Sequence, residues 1–248
     1  MSRFVTDPLA PLLELPGVRD AVAAAREAVD QVHGHQANRR GWPTTAAEAS
    51  VRAARASAAL DGAEVEIPES GEVNEPVLAG ALRIAESIGP MLPTWQRAPM
   101  QALAKLHVLA ATDLLADDAL GRPRPGRGMS RRLDLLADLV AGGTSVPGPV
   151  LVAVVHGELL ALSPFDAANG VVARAAARLT MIGTGLDPKG LTVPEVFFLR
   201  RSDRYTEAAA GFRTGTDTAL AEWLLLCCEA IEAGAREATS IADAALAG

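Results

Sequence analysis

Apolar positions recur along this chain at helical spacing from one end to the other. Val18, Ala21, Val22, Ala25, Val29 and Val32 share one face of a 3.6-residue repeat, and Gly34 closes that run. Before it, Pro8, Pro11 and Pro16 predict an extended segment over residues 1–16. Arg39 to Pro43 reads as a linker, with Trp42 plugging into the main body. Thr45, followed three residues later by Glu48, predicts a capping box. The helix it heads runs through Val51, Ala54, Ala58 and Leu60 to a stop at Asp61-Gly62. Residues 63–74 are acidic and irregular. Pro76 opens a helix to Ile88, which Gly89-Pro90 stops, and Pro99 opens another from Met100 to Asp118.

The second half repeats the pattern. Gly121 to Gly128 is a loop of Pro, Gly and Arg; Ser130 caps a helix to Val140, closed by Gly142-Gly143. Pro149 opens a strongly apolar helix ending near Leu162, Ser163 to Gly170 turns, and Val171 to Ile182 is helical. Pro194 begins a short helix, Ser202 caps another, and Thr216 or Asp217 caps a long last one. No stretch alternates as a strand does, and there is no repeat. The predicted fold is all-α: one helical domain over 45–248 behind an N-terminal extension and linker at 1–44.

Composition sharpens this. Of 248 residues, 49% are hydrophobic but only 4% aromatic, so the core is built from Ala, Leu and Val, and Ala favours helix. The formal charge of −7 argues against a nucleic-acid binder, whose affinity comes from Lys and Arg on phosphates. The one basic cluster, Arg122, Arg124, Arg127, Arg131 and Arg132, is interleaved with Pro and Gly and lacks aromatics for base stacking; it reads as a solvated loop. Cys227 and Cys228 are adjacent in an apolar run and read as packing residues. With no apolar leader and no membrane-length apolar run, a cytoplasmic protein is predicted. His33 and His35 flank Gly34 without a third metal ligand at a usable spacing, and His107 and His156 lie on apolar helices as core residues. No metal site is predicted. A nicotinamide oxidoreductase is a poor fit, because no Gly-x-Gly-x-x-Gly follows a strand.

The most informative stretch is Ser163-Pro164-Phe165-Asp166-Ala167-Ala168-Asn169-Gly170-Val171-Val172-Ala173-Arg174. Asn169-Gly170 is a turn pair with a helix starting directly after it, which aims free backbone N–H groups and the positive helix end at one point. Arg174 follows one turn later on the same side. The arrangement suits a phosphate or carboxylate. The plainer alternative is that Asn-Gly only ends a turn and Arg174 pairs with an acid.

This stretch resembles the Fic (Fido) signature, His-Pro-Phe-x-Asp/Glu-Gly-Asn-Gly-Arg-x-x-Arg, through Pro164, Phe165, Asn169, Gly170 and Arg174. His156 stands seven residues before the turn, where many members carry a non-catalytic His. Leu120-Gly121-Arg122 looks like the family's Gly-x-x-Arg loop, and Arg200 to Phe212, with Asp203, Tyr205 and Ala208, resembles the segment around Asp-x-Tyr-x-x-Leu. Ser57-Ala58-Ala59-Leu60-Asp61-Gly62 resembles the inhibitory-helix pattern Ser-x-x-x-Glu-Gly/Asn, here within a helix over 45–62. Carried over, Asp61 would pair with Arg174 and block the nucleotide γ-phosphate; the alternative is that Asp61-Gly62 only stops a helix. The resemblance covers about residues 45–240. It implies a Fic-like helical bundle, and the short path from Arg124 to the next helix leaves the family's β-hairpin flap reduced or absent.

Departures from the signature weigh on function. Family enzymes use the His as general base, the acid to hold Mg²⁺ and the first Arg to bind phosphate, and they transfer AMP from ATP or a related group. Here those positions are Ser163, Ala167 and Val171, and the first Gly is Ala168. Loss of a general base alone costs about 10²–10⁴ in rate. Ala168-Asn169 resembles the Doc-type kinases, but the Lys-Arg that follows there is absent. The resulting expectation is a catalytically inactive Fic-fold binding or regulatory module. Its ligand candidates are ATP or another phosphate-bearing molecule, without tightly bound Mg²⁺, held by Asn169, Gly170 and Arg174. Two alternatives stand beside it: a divergent nucleotidyl- or phosphotransferase with reassigned residues, and a structural protein that forms homodimers or binds a protein partner.

Overall fold

The computed structural model describes residues 7–67 and 71–247; the expectations for residues 1–6 and 68–70 lie outside them. Eleven α-helices are described: α1 Val18–Gly34, α2 Gln36–Arg40, α3 Trp42–Leu60, α4 Pro76–Arg97, α5 Pro99–Ala111, α6 Met129–Asp138, α7 Gly148–Leu162, α8 Asn169–Gly183, α9 Pro194–Arg200, α10 Ser202–Phe212 and α11 Asp217–Ala247. No strand occurs among the described residues. None of the described helices is long and apolar enough to cross a membrane.

The helices α7 and α8 form the centre. Helix α7 is buried all round from Pro149 to His156, which is why its sequence shows no polar face. Helix α8 is buried from Val171 to Met181. On one side α3, α4, α5 and α6 pack over Trp95, Leu106, Phe165 and Leu179; on the other α1, α10 and α11 pack over Val150, Trp223 and Leu226. Each such large side chain contributes about 1.5–3 kcal/mol on full burial.

Several predicted boundaries move. Residues 10–14 form a 3₁₀ turn rather than extended chain. The predicted linker is helical: α2 and α3 are separated by Gly41 alone, and Trp42 starts α3 half-exposed at 39% instead of plugging the core. Thr45 is therefore not an N-cap; its buried hydroxyl bonds Asn38 Oδ1 at 2.7 Å, and Glu48 pairs with Arg52. Helix α4 runs through Pro90 and Pro93 to Arg97, because Ile84, Ile88, Met91 and Trp95 continue one buried face and both prolines sit on the solvent side. Helix α5 stops at Ala111, where the chain turns so that Gly121 returns to His107. Gly128, not Ser130, precedes α6, which ends at Asp138 in a π turn over 139–143. Arg201, without a side-chain cap bond, precedes α10 where Ser202 was expected to cap it.

Candidate functional site

The loop joining α7 to α8 turns on two left-handed residues, Ser163 (φ 42°) and Ala168 (φ 56°), the only non-glycine residues with positive φ among those described. Such strain persists only where surrounding contacts over-determine it. Ser163 donates its N–H to the Leu159 carbonyl and its hydroxyl to that of Leu160 (2.9 Å each). Asn169 bonds Phe165 twice: its Oδ1 accepts from the Phe165 N–H at 2.9 Å and its Nδ2 donates to the Phe165 carbonyl at 2.8 Å. The side chain of Asn169 is thus consumed in closing the loop.

Two further elements clamp that loop. The buried Phe165 ring stacks on His107 with centroids 4.0 Å apart and planes 4° from parallel. The His107 Nδ1 accepts from the Gly121 N–H at 2.9 Å, tying the 112–128 loop to the same point. Burial lowers the His107 pKa, opposed by the Ala167 carbonyl and Asp166. Arg124 donates its backbone N–H to the Pro164 carbonyl at 2.7 Å and its guanidinium to the Ser163 carbonyl, and its Nε lies 3.9 Å from Asp166.

The start of α8 is where a free anion would sit, and the chain brings its own. Asp61, at the end of α3, accepts from the Val171 N–H (3.3 Å) and from Arg174 Nη2 (2.5 Å). A Cβ on Gly170 would stand 2.4 Å from one Asp61 carboxylate oxygen and 2.8 Å from the other, so the missing side chain makes this approach feasible. Arg174 is only 3% exposed and uses every edge of its guanidinium. Nε donates to Ser57 Oγ at 2.8 Å and Nη2 to the Ser57 carbonyl at 2.8 Å, while Nη1 reaches Tyr205 Oη at 3.4 Å. Tyr205 in turn lies 2.8 Å from His156 Nε2. Because Arg174 can only donate, Tyr205 accepts from it and gives its proton to His156. Burial, with the Arg174 charge, drives the His156 pKa down to about 3, and burial raises that of Tyr205 to about 12. Burial disfavours the Arg174 charge, but Tyr205 and Asp61 outweigh it and its pKa is raised.

Of the sequence-derived residues, Ser57, Asp61, Gly170 and Arg174 meet at one point; Gly62 follows as a left-handed turn (φ 85°) after α3, and Ser163 lies at the far end of the loop. Val171 is buried in the apolar core. Cys227 and Cys228 are buried free thiols whose pKa values burial raises. His33 and His35 pair with Asp187 (2.8 Å) and Asp243 (3.1 Å). No group of three or more His, Cys, Asp or Glu among the described residues is placed to hold a metal. Two features escaped the sequence reading. One is the Arg124 clamp. The other is Arg178, one turn beyond Arg174, which donates to the carbonyls of Gly190 (2.6 Å) and Thr192 (3.0 Å). Its signal was the i, i+4 spacing of two arginines on an otherwise apolar helix.

No family model and no curated protein matches this chain in sequence. Solved structures match its shape. A Fic family protein from Desulfovibrio desulfuricans G20 superposes with a TM-score of 0.69 at 18% identity, covering 91% of this chain and 74% of that one. A variant form of Fic-1 from C. elegans gives 0.73 at 16% identity over 94% of this chain and 74% of that one. A second form of Fic-1 gives 0.69 at 14% over 93% and 74%. The fold is a Fic fold. On it, Mg²⁺ is the metal the Fic enzymes imply, and the residues here do not fit one. By the sequence resemblance the acid position falls on Ala167; the adjacent Asp166 is exposed beside Arg124, and Asp61 is engaged by Arg174.

Proposed function

We propose that this chain is a catalytically inactive Fic-fold module whose anion site is held shut by its own Asp61. The observation that carries the reading is the Asp61 carboxylate seated between the α8 N-terminus and Arg174, where a ligand phosphate would need the same donors. Ser163 supports it as well: its hydroxyl is donated to a backbone carbonyl, and no base stands within its bonding set to remove the proton. The remaining donors suit a phosphate-bearing ligand such as ATP, admitted only when Asp61 withdraws. Helix α3 packs against α4, α8, α9 and α11. Withdrawal therefore means unwinding its last turn at Asp61-Gly62, not moving the whole helix.

Calorimetry with ATP, run without Mg²⁺ on wild type and Asp61→Ala, tests the site. The wild type should bind weakly and the variant at least about tenfold more tightly, since removing a bound competitor frees its affinity. Equal affinities would overturn the Asp61 lock but leave a nucleotide-binding module; no binding in either protein would point to a structural protein that forms homodimers or binds a protein partner. Transfer of labelled nucleotide to lysate proteins should be absent in both. Transfer by wild type would establish the divergent-transferase reading instead. A fourfold change, Ser163→His with Ala167→Glu, Ala168→Gly and Val171→Arg, is expected to restore AMP transfer if the scaffold is otherwise competent.

A further inference from the structure

Beside the Asp61 lock lies a second polar arrangement that the proposed function does not use. Glu195, at the start of α9, is 6% exposed, and its Oε2 has no hydrogen-bond partner among the described residues. The nearest cation is Arg178, whose Nη1 lies 4.0 Å away, too far for a direct bond. A buried carboxylate oxygen without a partner is rare, because desolvation is then uncompensated. Glu195, Arg178, Arg174 and Ser57 all line one cavity of about 30 Å³ between α3, α4 and α8. A water needs at least about 10–15 Å³ and two to four polar partners.

The donor count at this cavity is specific. Arg178 Nη1 commits one proton to the Thr192 carbonyl and keeps its second. Ser57 Oγ accepts from Arg174 Nε, and its own proton has no acceptor among the described residues. A smaller cavity of about 20 Å³ on the other side shares Glu195 and the arginines; both cavities have mainly apolar walls, but the smaller one lacks the Ser57 hydroxyl. We propose that one ordered water binds in the larger cavity, accepting from Arg178 Nη1 and Ser57 Oγ and donating to Glu195 Oε2. It completes a buried network from Asp61 through Arg174, Ser57 and the water to Glu195 and Arg178. The partly exposed Ser50 and Ala85 at the cavity edge give it a route to solvent.

Electron density at high resolution for the crystallised full chain tests this without any ligand. A single peak is expected within hydrogen-bonding distance, about 2.6–3.2 Å, of Glu195 Oε2, Arg178 Nη1 and Ser57 Oγ. It should persist in Glu195→Gln and vanish in Glu195→Leu, whose side chain offers no acceptor. Counting long-lived waters by oxygen-17 relaxation dispersion should find one fewer in Glu195→Leu than in wild type. Density showing Glu195 turned into direct contact with Arg178, or a cavity without a peak, overturns the proposal. So does a peak that survives unchanged in Glu195→Leu. Because wild-type density suffices, the test holds even if the leucine variant fails to fold.

Discussion

Arg174 shows how a buried charge is tolerated. Its donors meet a carboxylate, a hydroxyl, a backbone carbonyl and a phenol, so desolvation is offset by several bonds rather than by one ion pair. Gly170 is the position that permits it. In an ordinary helix Gly→Ala gains about 0.5–1 kcal/mol. Here Gly170→Ala should lose about 1–3 kcal/mol, because the new methyl meets the Asp61 carboxylate. Urea denaturation should also show the loss shrinking in an Asp61→Ala background, a non-additivity expected only if the two touch. His156 makes a pH prediction. Its folded pKa, about 3, lies below the ordinary 6.5. Stability from its neutral form is complete above pH 6.5 and is lost as pH falls toward 3, by up to about 1.4 kcal/mol per unit. His156→Gln should flatten that acid slope in melting temperature, leaving what is due to His107, whose pKa is shifted the same way, and at lower pH to the lowered carboxylates Asp7 and Asp187.

Among the elements, α4 and α3 depart furthest from local expectation. Gly89-Pro90 is a stop signal by propensity, yet the helix continues because Met91 and Trp95 extend the buried face of Ile84 and Ile88. Pro90 faces solvent, so the carbonyl it leaves unpaired reaches water. Replacing it should therefore stabilise: Pro90→Ala is expected to raise the unfolding free energy from urea denaturation by about 1–3 kcal/mol, less the entropy it restores to the unfolded chain. The opposite sign is expected at Gly80 on the same helix. A Cβ there would stand 2.3 Å from the Ala110 carbonyl, so α4 and α5 cannot approach as they do with any larger residue. Gly80→Ala should cost several kcal/mol, measured the same way. Helix α3 begins earlier than its capping signal because Thr45 is more useful as a buried bond to Asn38 than as a cap.

At the scale of the whole molecule, the acidic chain buries several of its charges, among them Arg174, Arg178, Asp187 and Glu195. Asp187 is 1% exposed and accepts from the Leu191 and Thr192 N–H groups, the Thr192 hydroxyl and His33. These bonds hold its pKa down against burial and join α1 to the loop between α8 and α9. Asp187→Ala should cost about 3–5 kcal/mol and speed amide exchange at Leu191 and Thr192 ahead of global unfolding. The loop 163–168 is held by Arg124 and by His107, while α3 delivers Asp61 to the start of α8. The site is thus an intersection of segments up to about a hundred residues apart in sequence.

Helix identity and the all-α class were legible in the residues themselves, since apolar spacing reports burial on one face wherever the core lies. So was the nearness of Gly170 and Arg174, which one turn of helix brings together. Helix ends at Trp42, Arg97 and Ala111 were not, because each is set by packing that local propensity does not encode. Nor could spacing show that Asn169 would spend its amide on Phe165, that the exposed Arg124 would donate to the Ser163 carbonyl, or that Arg178 and Glu195 would line one cavity. Those contacts join elements remote in sequence, and only the folded chain decides which donor meets which acceptor.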